Sequence, residues 1–266
     1  MEIRFDEQVA IVTGAGRGLG RAHAIAMASK GAKVVVNDFS GSQEISENAN
    51  SVVEEIISAG GEAIANGANV ANFDQVQCMV NETIDKWGRV DILVNNAGIL
   101  RDKTFLKMSV EDMREVIDVH LMGSLNCSKA VWETMREQSY GRIVLTSSSS
   151  GLYGNFGQTN YGAAKMAMVG IMNTLHLEGM KYNIKVNCLA PTAGTAMTDG
   201  LFPEPVFKLM PPESVSPGVV FLCSKDAPSR KVLAAGGGSF AIFKGFETEG
   251  VNLLPDELSA ESVAKY

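Results

Sequence analysis

Two side chains at helical spacing open the chemistry of this chain. Tyr161 and Lys165 stand four residues apart in Tyr161-Gly162-Ala163-Ala164-Lys165. On a helix, positions i and i+4 share one face. A free phenol loses its proton near pH 10. An adjacent ammonium favours the phenolate and lowers that value; each tenfold gain in acidity takes about 1.4 kcal/mol of electrostatic help. A phenol brought down in this way is a proton donor or acceptor near working pH. Such a pair is commonplace on helices, so its meaning depends on what accompanies it.

A glycine-rich turn accompanies it. Thr13-Gly14-Ala15-Gly16-Arg17-Gly18-Leu19-Gly20 follows an apolar run and opens a helical pattern. Glycines let the turn tighten and let the backbone approach a pyrophosphate. The helix N-terminus adds free N–H groups and a positive dipole end. The spacing Gly14-x3-Gly18-x-Gly20 differs from the usual G-x-G-x-x-G. About twenty residues further on, Asp38 ends the next apolar run. A carboxylate there can accept both adenosine ribose hydroxyls and repels a 2′-phosphate. The expected cofactor is therefore NAD rather than NADP. Arg17 alone argues the other way, but Phe39 stands where a second basic residue would serve a 2′-phosphate.

These residues need strand ends and helix starts to position them. Apolar, β-branched runs at 8–13, 33–38, 63–66, 90–95, 142–147, 185–190 and, weakly, 239–243 predict about seven strands. Several are apolar throughout, as strands buried on both faces are. Between them, 21–30, 42–59, 73–87, 110–135, 160–182 and 212–224 carry helical spacing. The alternation predicts an α/β fold: a single-domain, Rossmann-type, doubly wound parallel sheet with helices on both faces, spanning 1–266. The irregular stretch 191–212 lies beyond a strand's C-terminal end, where such sheets bind ligands, and reads as a substrate lid. The polar tail from 245 suits packing or oligomer contact.

Composition removes other classes. The chain has 266 residues, 45% of them hydrophobic, with 23 basic against 30 acidic side chains and a net charge of −7. That balance excludes nucleic acid as a main partner, since phosphate binding needs a basic face. The four cysteines are scattered with no CxxC pair, which points to buried thiols in a reducing compartment and to no metal site. No apolar run approaches the roughly 18 residues of a membrane span, and no signal core opens the chain. A cytoplasmic location and a small-molecule substrate are the expectations.

Two further segments complete a pattern. Ser148 lies thirteen residues before Tyr161, at the end of the fifth strand, and Asn95-Asn96-Ala97-Gly98 ends the fourth. With the glycine turn and the Tyr–Lys pair, this ordered set resembles the short-chain dehydrogenase/reductase family. The resemblance implies that Tyr161 is the general acid or base and that Lys165 binds the nicotinamide ribose and depresses the Tyr161 pKa. It implies that Ser148 holds the substrate oxygen and that Asn95 braces the central strands. Ala97 and Gly98 would line the adenosine ribose, with Asn96 among the cofactor contacts.

Three departures from the family pattern stand out. His120 takes the place of the usual catalytic Asn, where it could hold a proton-relay water through its backbone or ring. Asn69-Val70 replaces Asp-Val beside the adenine, and the Asn amide could still accept from the adenine amino group. The loop with Pro191, Gly194 and Thr195, which would meet the carboxamide, has an altered length. The segments 98–102, 119–124, 153–158, 177–179 and 190–198 are similar to the (3R)-hydroxyacyl-CoA dehydrogenase branch, found in peroxisomal multifunctional enzymes. That likeness implies NAD-dependent oxidation of a (3R)-hydroxyacyl thioester. The alternatives are a 3-oxoacyl-carrier-protein reductase, commonly NADPH-preferring, or a catalytically idle NAD sensor. The family habit implies a homodimer, with a tetramer as the alternative, built on the long helices at 110–135 and 160–182.

Overall fold

The computed structural model describes residues 2–42, 44–198, 200 and 203–265. Within them, eight strands form one sheet in the order β3-β2-β1-β4-β5-β6-β7-β8. They are β1 (Val9–Thr13), β2 (Lys33–Asn37), β3 (Glu62–Asn66), β4 (Ile92–Asn95), β5 (Gly141–Thr146), β6 (Ile184–Thr192), β7 (Val232–Gly236) and β8 (Ser239–Phe243). The first seven are parallel and β8 turns back antiparallel on β7. The helices are α1 (Gly18–Ser29), α2 (Glu47–Ser58), α3 (Phe73–Trp87), α4 (Val110–Ile117), α5 (Gly123–Gln138), α6 (Ser149–Tyr153), α7 (Thr159–Gly179), α8 (Glu204–Lys208), α9 (Ser216–Cys223) and α10 (Ala260–Val263).

Successive strand side chains point to opposite faces, and here both faces are covered. Ala10, Val12, Val34, Val36 and Val94 pack with Met27, Val52, Ile56 and Val219 on the side of α1, α2 and α9. Ile11, Val35, Leu93 and Ile143 pack with Val76, Met79, Val131 and Met168 on the side of α3, α5 and α7. Double burial is why β1 and β4 are apolar almost from end to end. The chain leaves β1 toward β2 on one side and returns to β4 on the other. That reversal opens a crevice at the C-terminal strand ends.

The opposite end of the sheet is closed by a buried cation. Arg142 on β5 is 1% exposed. Its guanidinium donates to the carbonyls of Ser224 (2.9 Å), Lys225 (2.9 Å), Asn183 (2.8 Å) and Gly141 (2.7 Å), and lies 4.1 Å over the Tyr140 ring.

Several expectations need correction. The run Val232-Leu233-Ala234-Ala235 belongs to a seventh parallel strand; its small side chains and three following glycines disguise it as loop. Gly237 and Gly238, at φ +54° and +77°, form the two-residue turn into β8, a geometry that favours glycine at both positions. The helix expected at 110–135 is interrupted by a π turn at Asp118–Met122, a local widening that apolar spacing does not register. The helix expected from 42 starts at Glu47, where Ser46 accepts the Ala49 N–H at 3.0 Å. Cys127, Cys188 and Cys223 are buried, but Cys78 is exposed. Among the described residues, no helix is long and apolar enough to cross a membrane.

Candidate active site

The crevice is built first from backbone. Thr13 ends β1, and its hydroxyl accepts the N–H groups of Asn96 and Ala97, both at 3.0 Å. The Asn96 amide donates back to the carbonyls of Thr13 (2.9 Å) and Gly14 (3.1 Å). The two turns are thereby knitted together, and this role of Thr13 and Asn96 was not evident from spacing. Gly14 has φ +60°, and a Cβ there would lie 2.8 Å from the Ala97 Cα. A Cβ on Gly20 would strike the Gly14 carbonyl, and one on Gly16 would strike the Asp38 carboxylate. Gly18 faces the Thr195 methyl, which a Cβ would meet at 3.5 Å.

Arg17 precedes α1 without a side-chain cap, and no acid lies in the first turn. The free N–H groups of α1 are thus available to an anion. Asp38 follows β2, and its carboxylate accepts the Ser46 hydroxyl at 2.8 Å. The carboxylate closes one side of the space that Gly16 leaves open. This cradle fits an adenosine ribose and a pyrophosphate.

At the adenine end the fit is looser. The Asn69 side-chain oxygen already accepts the Ala71 N–H at 3.0 Å, leaving one lone pair for a ligand. Val70 is buried, and its carbonyl accepts from Asn126 at 2.9 Å. In the loop after β6, the Gly194 N–H donates to the Met210 carbonyl at 2.6 Å and the Thr195 N–H to the Thr198 hydroxyl at 2.8 Å. Pro191 sits near the end of β6. The loop folds back over itself through α8; Asp199, Leu201 and Phe202 of the expected lid lie outside the described residues.

Ser148, Tyr161, Lys165 and His120 converge beyond β4 and β5. Ser148 caps α6, its hydroxyl accepting the Ser150 N–H at 3.2 Å. Tyr161 stands in the first turn of α7, and Lys165 one turn later has its ammonium 5.5 Å from the phenol ring centre. Lys165 is 3% exposed; it donates to the Thr146 carbonyl at 2.7 Å, while the Ser147 hydroxyl donates to the Lys165 carbonyl at 2.8 Å. Burial pushes Lys165 down to about 7. Tyr161 is moved up, not down: burial raises it, the Ser148 hydroxyl opposes this, and the Asp102 carboxylate adds to the rise. Burial thus outweighs any lowering by Lys165 here, because taking both groups out of water disfavours both charges.

His120 lies in the π turn, its ring edge-on to Tyr161 at 5.2 Å. Nε2 meets the Ile99 backbone, 3.0 Å from its nitrogen and 2.8 Å from its oxygen. A Cβ on Gly98 would strike the imidazole. The His120 carbonyl accepts the Ser124 hydroxyl at 2.7 Å. Nδ1 is buried with no partner among the described residues. Burial and the nearby Lys165 charge push His120 down to about 3, so the ring is neutral. Asn95 braces α5 through Ser128 at 3.3 Å. Reading by spacing missed Asp102 and Gln158, whose contact at 2.6 Å joins two segments that sequence showed only as likenesses.

With this geometry in place, comparison with known proteins is direct. The short chain dehydrogenase family matches residues 8–205. A short-chain type dehydrogenase/reductase of Mycobacterium tuberculosis is 47% identical over 92% of this chain and 88% of its own length. Peroxisomal multifunctional enzyme type 2 of Drosophila melanogaster is 48% identical over 85% of this chain, but the match spans only 38% of that protein. A 3-oxoacyl-[acyl-carrier-protein] reductase of Synechocystis is 45% identical over 83% of this chain and 90% of its own length. The solved structure of 7α-hydroxysteroid dehydrogenase with NADH and 7-oxo glycochenodeoxycholic acid superposes with a TM-score of 0.80 at 32% identity, covering 88% of this chain and 95% of that one. A nicotinamide-cofactor cradle and a Ser–Tyr–Lys cluster thus sit on a fold shared along most of the chain's length, and the chain belongs to the short chain dehydrogenase family of oxidoreductases acting on CH–OH groups.

Proposed function

We propose that the chain interconverts a (3R)-hydroxyacyl-CoA and its 3-oxoacyl form with NAD(H). The observation that carries the cofactor choice is the Asp38 carboxylate, held by Ser46 at 2.8 Å against the space left by Gly16. The backbone of the glycine turn and the α1 N-terminus hold the pyrophosphate, and Asp38 takes the adenosine ribose hydroxyls. Asn69, Val70, Asn96, Ala97 and Gly98 border the adenosine end; Pro191, Gly194 and Thr195 border the nicotinamide end. Bound NAD supplies a hydride acceptor, and NADH a donor.

The chain's own residues supply the remainder. Ser148 donates to the substrate oxygen and holds it beside Tyr161. Tyr161 receives the hydroxyl proton in oxidation and returns it in reduction. Lys165, fixed by Thr146, lies beside the phenol and favours its anionic form when charged. Neutral His120 spaces Gly98 from Tyr161 and presents Nδ1 to the same compartment. The loop 191–212 covers the substrate.

The substrate class rests on the resemblance of 98–102, 119–124 and 153–158 to the hydroxyacyl-CoA branch, and on the identity to the peroxisomal enzymes. A spectrophotometric screen of (3R)-hydroxyacyl-CoA chain lengths with NAD and NADP tests it. NADH formation is expected; none with any chain length overturns the substrate reading. The similarity to the Synechocystis protein favours a second reading, a carrier-protein reductase, which a preference for NADPH and acyl-carrier substrates would identify. We place the enzyme in the cytoplasm as a homodimer. Leu177 and Met180, 64% and 61% exposed, form with Trp132 and Tyr182 an outer surface at the ends of α5 and α7 suited to a second copy.

A further inference from the structure

The helix that carries Tyr161 starts without the usual cap. Gln158 occupies the N-cap position of α7, yet its side chain accepts no N–H group of the first turn, a task that Ser, Thr, Asp or Asn performs at most helix starts. The turn is held in another way. The Tyr161 N–H donates to the Asn160 side chain at 2.7 Å, and the Gly162 N–H to the Gln158 carbonyl at 2.7 Å. Gln158 and Asn160 are both buried, and both side chains reach to the segment after β4. Asn160 donates to the carbonyls of Arg101 at 3.2 Å and Asp112 at 3.4 Å. Gln158 donates to the Asp102 carboxylate at 2.6 Å and accepts from Asn155 at 2.9 Å. A carboxylate can only accept, so Asp102 sets the orientation of the Gln158 amide.

The receiving segment is itself anchored. Arg101 bonds Glu115 of α4 at 2.8 and 2.7 Å, and Lys103 bonds Asp112 at 2.8 Å. The Lys103 N–H also donates to the Gly157 carbonyl at 3.0 Å. Asp102 thus stands between two fixed residues. A few residues earlier, the same segment seats the His120 ring against Gly98 and Ile99. The N–H groups of Tyr161 and Gly162 are therefore bonded to two residues, each bonded in turn to 101–112.

We propose that Gln158 is a positioning residue for the proton step: held by Asp102, it fixes the first turn of α7, and with it the Tyr161 phenol, against the segment 98–104. The inference rests on the reading of Tyr161 as the proton-transferring group. Gln158 acts through geometry alone. A displacement of about 1 Å in a reacting group costs up to about 10²-fold in rate, so a contact away from the reacting atoms can govern turnover.

The test exchanges the two partners. Gln158→Glu sets two carboxylates face to face. Adding Asp102→Asn restores one donor and one acceptor at the same side-chain lengths, with their roles reversed. In Gln158→Glu we expect kcat to fall about tenfold, with KM for the alcohol and NADH affinity, read by fluorescence, within about threefold of wild type. The double variant is expected to recover most of the loss. Both variants carry the charge at 158, so recovery assigns the loss to the broken contact. An unchanged kcat in Gln158→Glu, a loss confined to KM, or a loss that the double variant leaves in place overturns the proposal. If Gln158→Glu fails to fold, Asp102→Ala at its exposed position removes the partner instead; kcat is expected to fall, and an unchanged kcat overturns the proposal. Hydrogen exchange at the Tyr161 and Gly162 amides is followed in the same proteins. It is expected to quicken in the single variants and to return toward wild type in the double one; equal exchange in all of them overturns the proposal without any substrate. Rates are taken with any alcohol the chain oxidises. Oxidation of an alcohol other than a hydroxyacyl-CoA overturns the substrate reading and leaves this one standing.

Discussion

Tyr161 is held by three neighbours of different kinds: a hydroxyl that can donate to its oxygen, a buried ammonium, and the edge of a neutral imidazole. Removing the phenolic oxygen tests the proton role without disturbing packing. Tyr161→Phe is expected to reduce turnover by about 10²- to 10⁴-fold while nucleotide binding, read by NADH fluorescence, stays within a factor of a few. Cofactor choice is likewise a single-residue matter. Asp38→Ala is expected to weaken NAD about 10- to 100-fold, the loss of charge-assisted hydrogen bonds, and to improve NADP relative to NAD. Equal losses for both cofactors in a binding titration would refute the assignment of Asp38 to the ribose. Gly16→Ala should abolish binding of both, because its methyl group would strike the Asp38 carboxylate.

Between elements, burial of ionisable groups gives the fold a defined acid sensitivity. His23 on α1 is fully buried and meets Ser216 of α9 at 2.9 Å; burial pushes it down to about 3. An unfolded histidine titrates near 6.5. Below that pH the unfolded chain takes up a proton that the folded chain refuses. The stabilisation is thus complete above about pH 6.5 and is lost as pH falls toward 3, at about 1.4 kcal/mol per pH unit. His23→Gln keeps a partner for Ser216 and should flatten that slope by one proton in urea midpoints measured across this window; an unchanged slope would count against it. The same scale shows what spacing could and could not reveal. β1, β2 and α3 were legible because double burial and amphipathic packing write strong patterns. β7 was not, since small residues and a glycine turn carry little pattern. The π turn at His120 was hidden because five residues are too few to reveal a change of period. At the site, the glycine turn, Ser148, Tyr161 and Lys165 were legible as local motifs. The Asp102–Gln158 contact was not, since its two residues lie 56 positions apart.

For the whole molecule, the proposed dimer places the exposed ends of α5 and α7 against a second copy. Leu177→Asp would bury an unpaired charge at that contact. Sedimentation velocity at micromolar concentration is expected to show a dimer for the wild type and a monomer for the variant. A wild-type monomer would refute the arrangement. The central strands of the eight-stranded sheet are covered on both faces, so the turns that line the crevice start from packed strand ends.

The guanidinium of Arg142 has a consequence for the order in which the chain can fold. Two of its acceptors, Ser224 and Lys225, lie 82 and 83 residues downstream. Until that stretch is available, the central strand β5 carries a cation that cannot enter the interior with its partners satisfied. A nascent chain that has emerged only as far as β6 should therefore keep this end of the sheet open, and closure is a late, long-range event of the kind that slows folding. Chains truncated before Ser224 are expected to remain protease-sensitive throughout the β4–β6 region, whereas protection should appear once residues 224–225 are included.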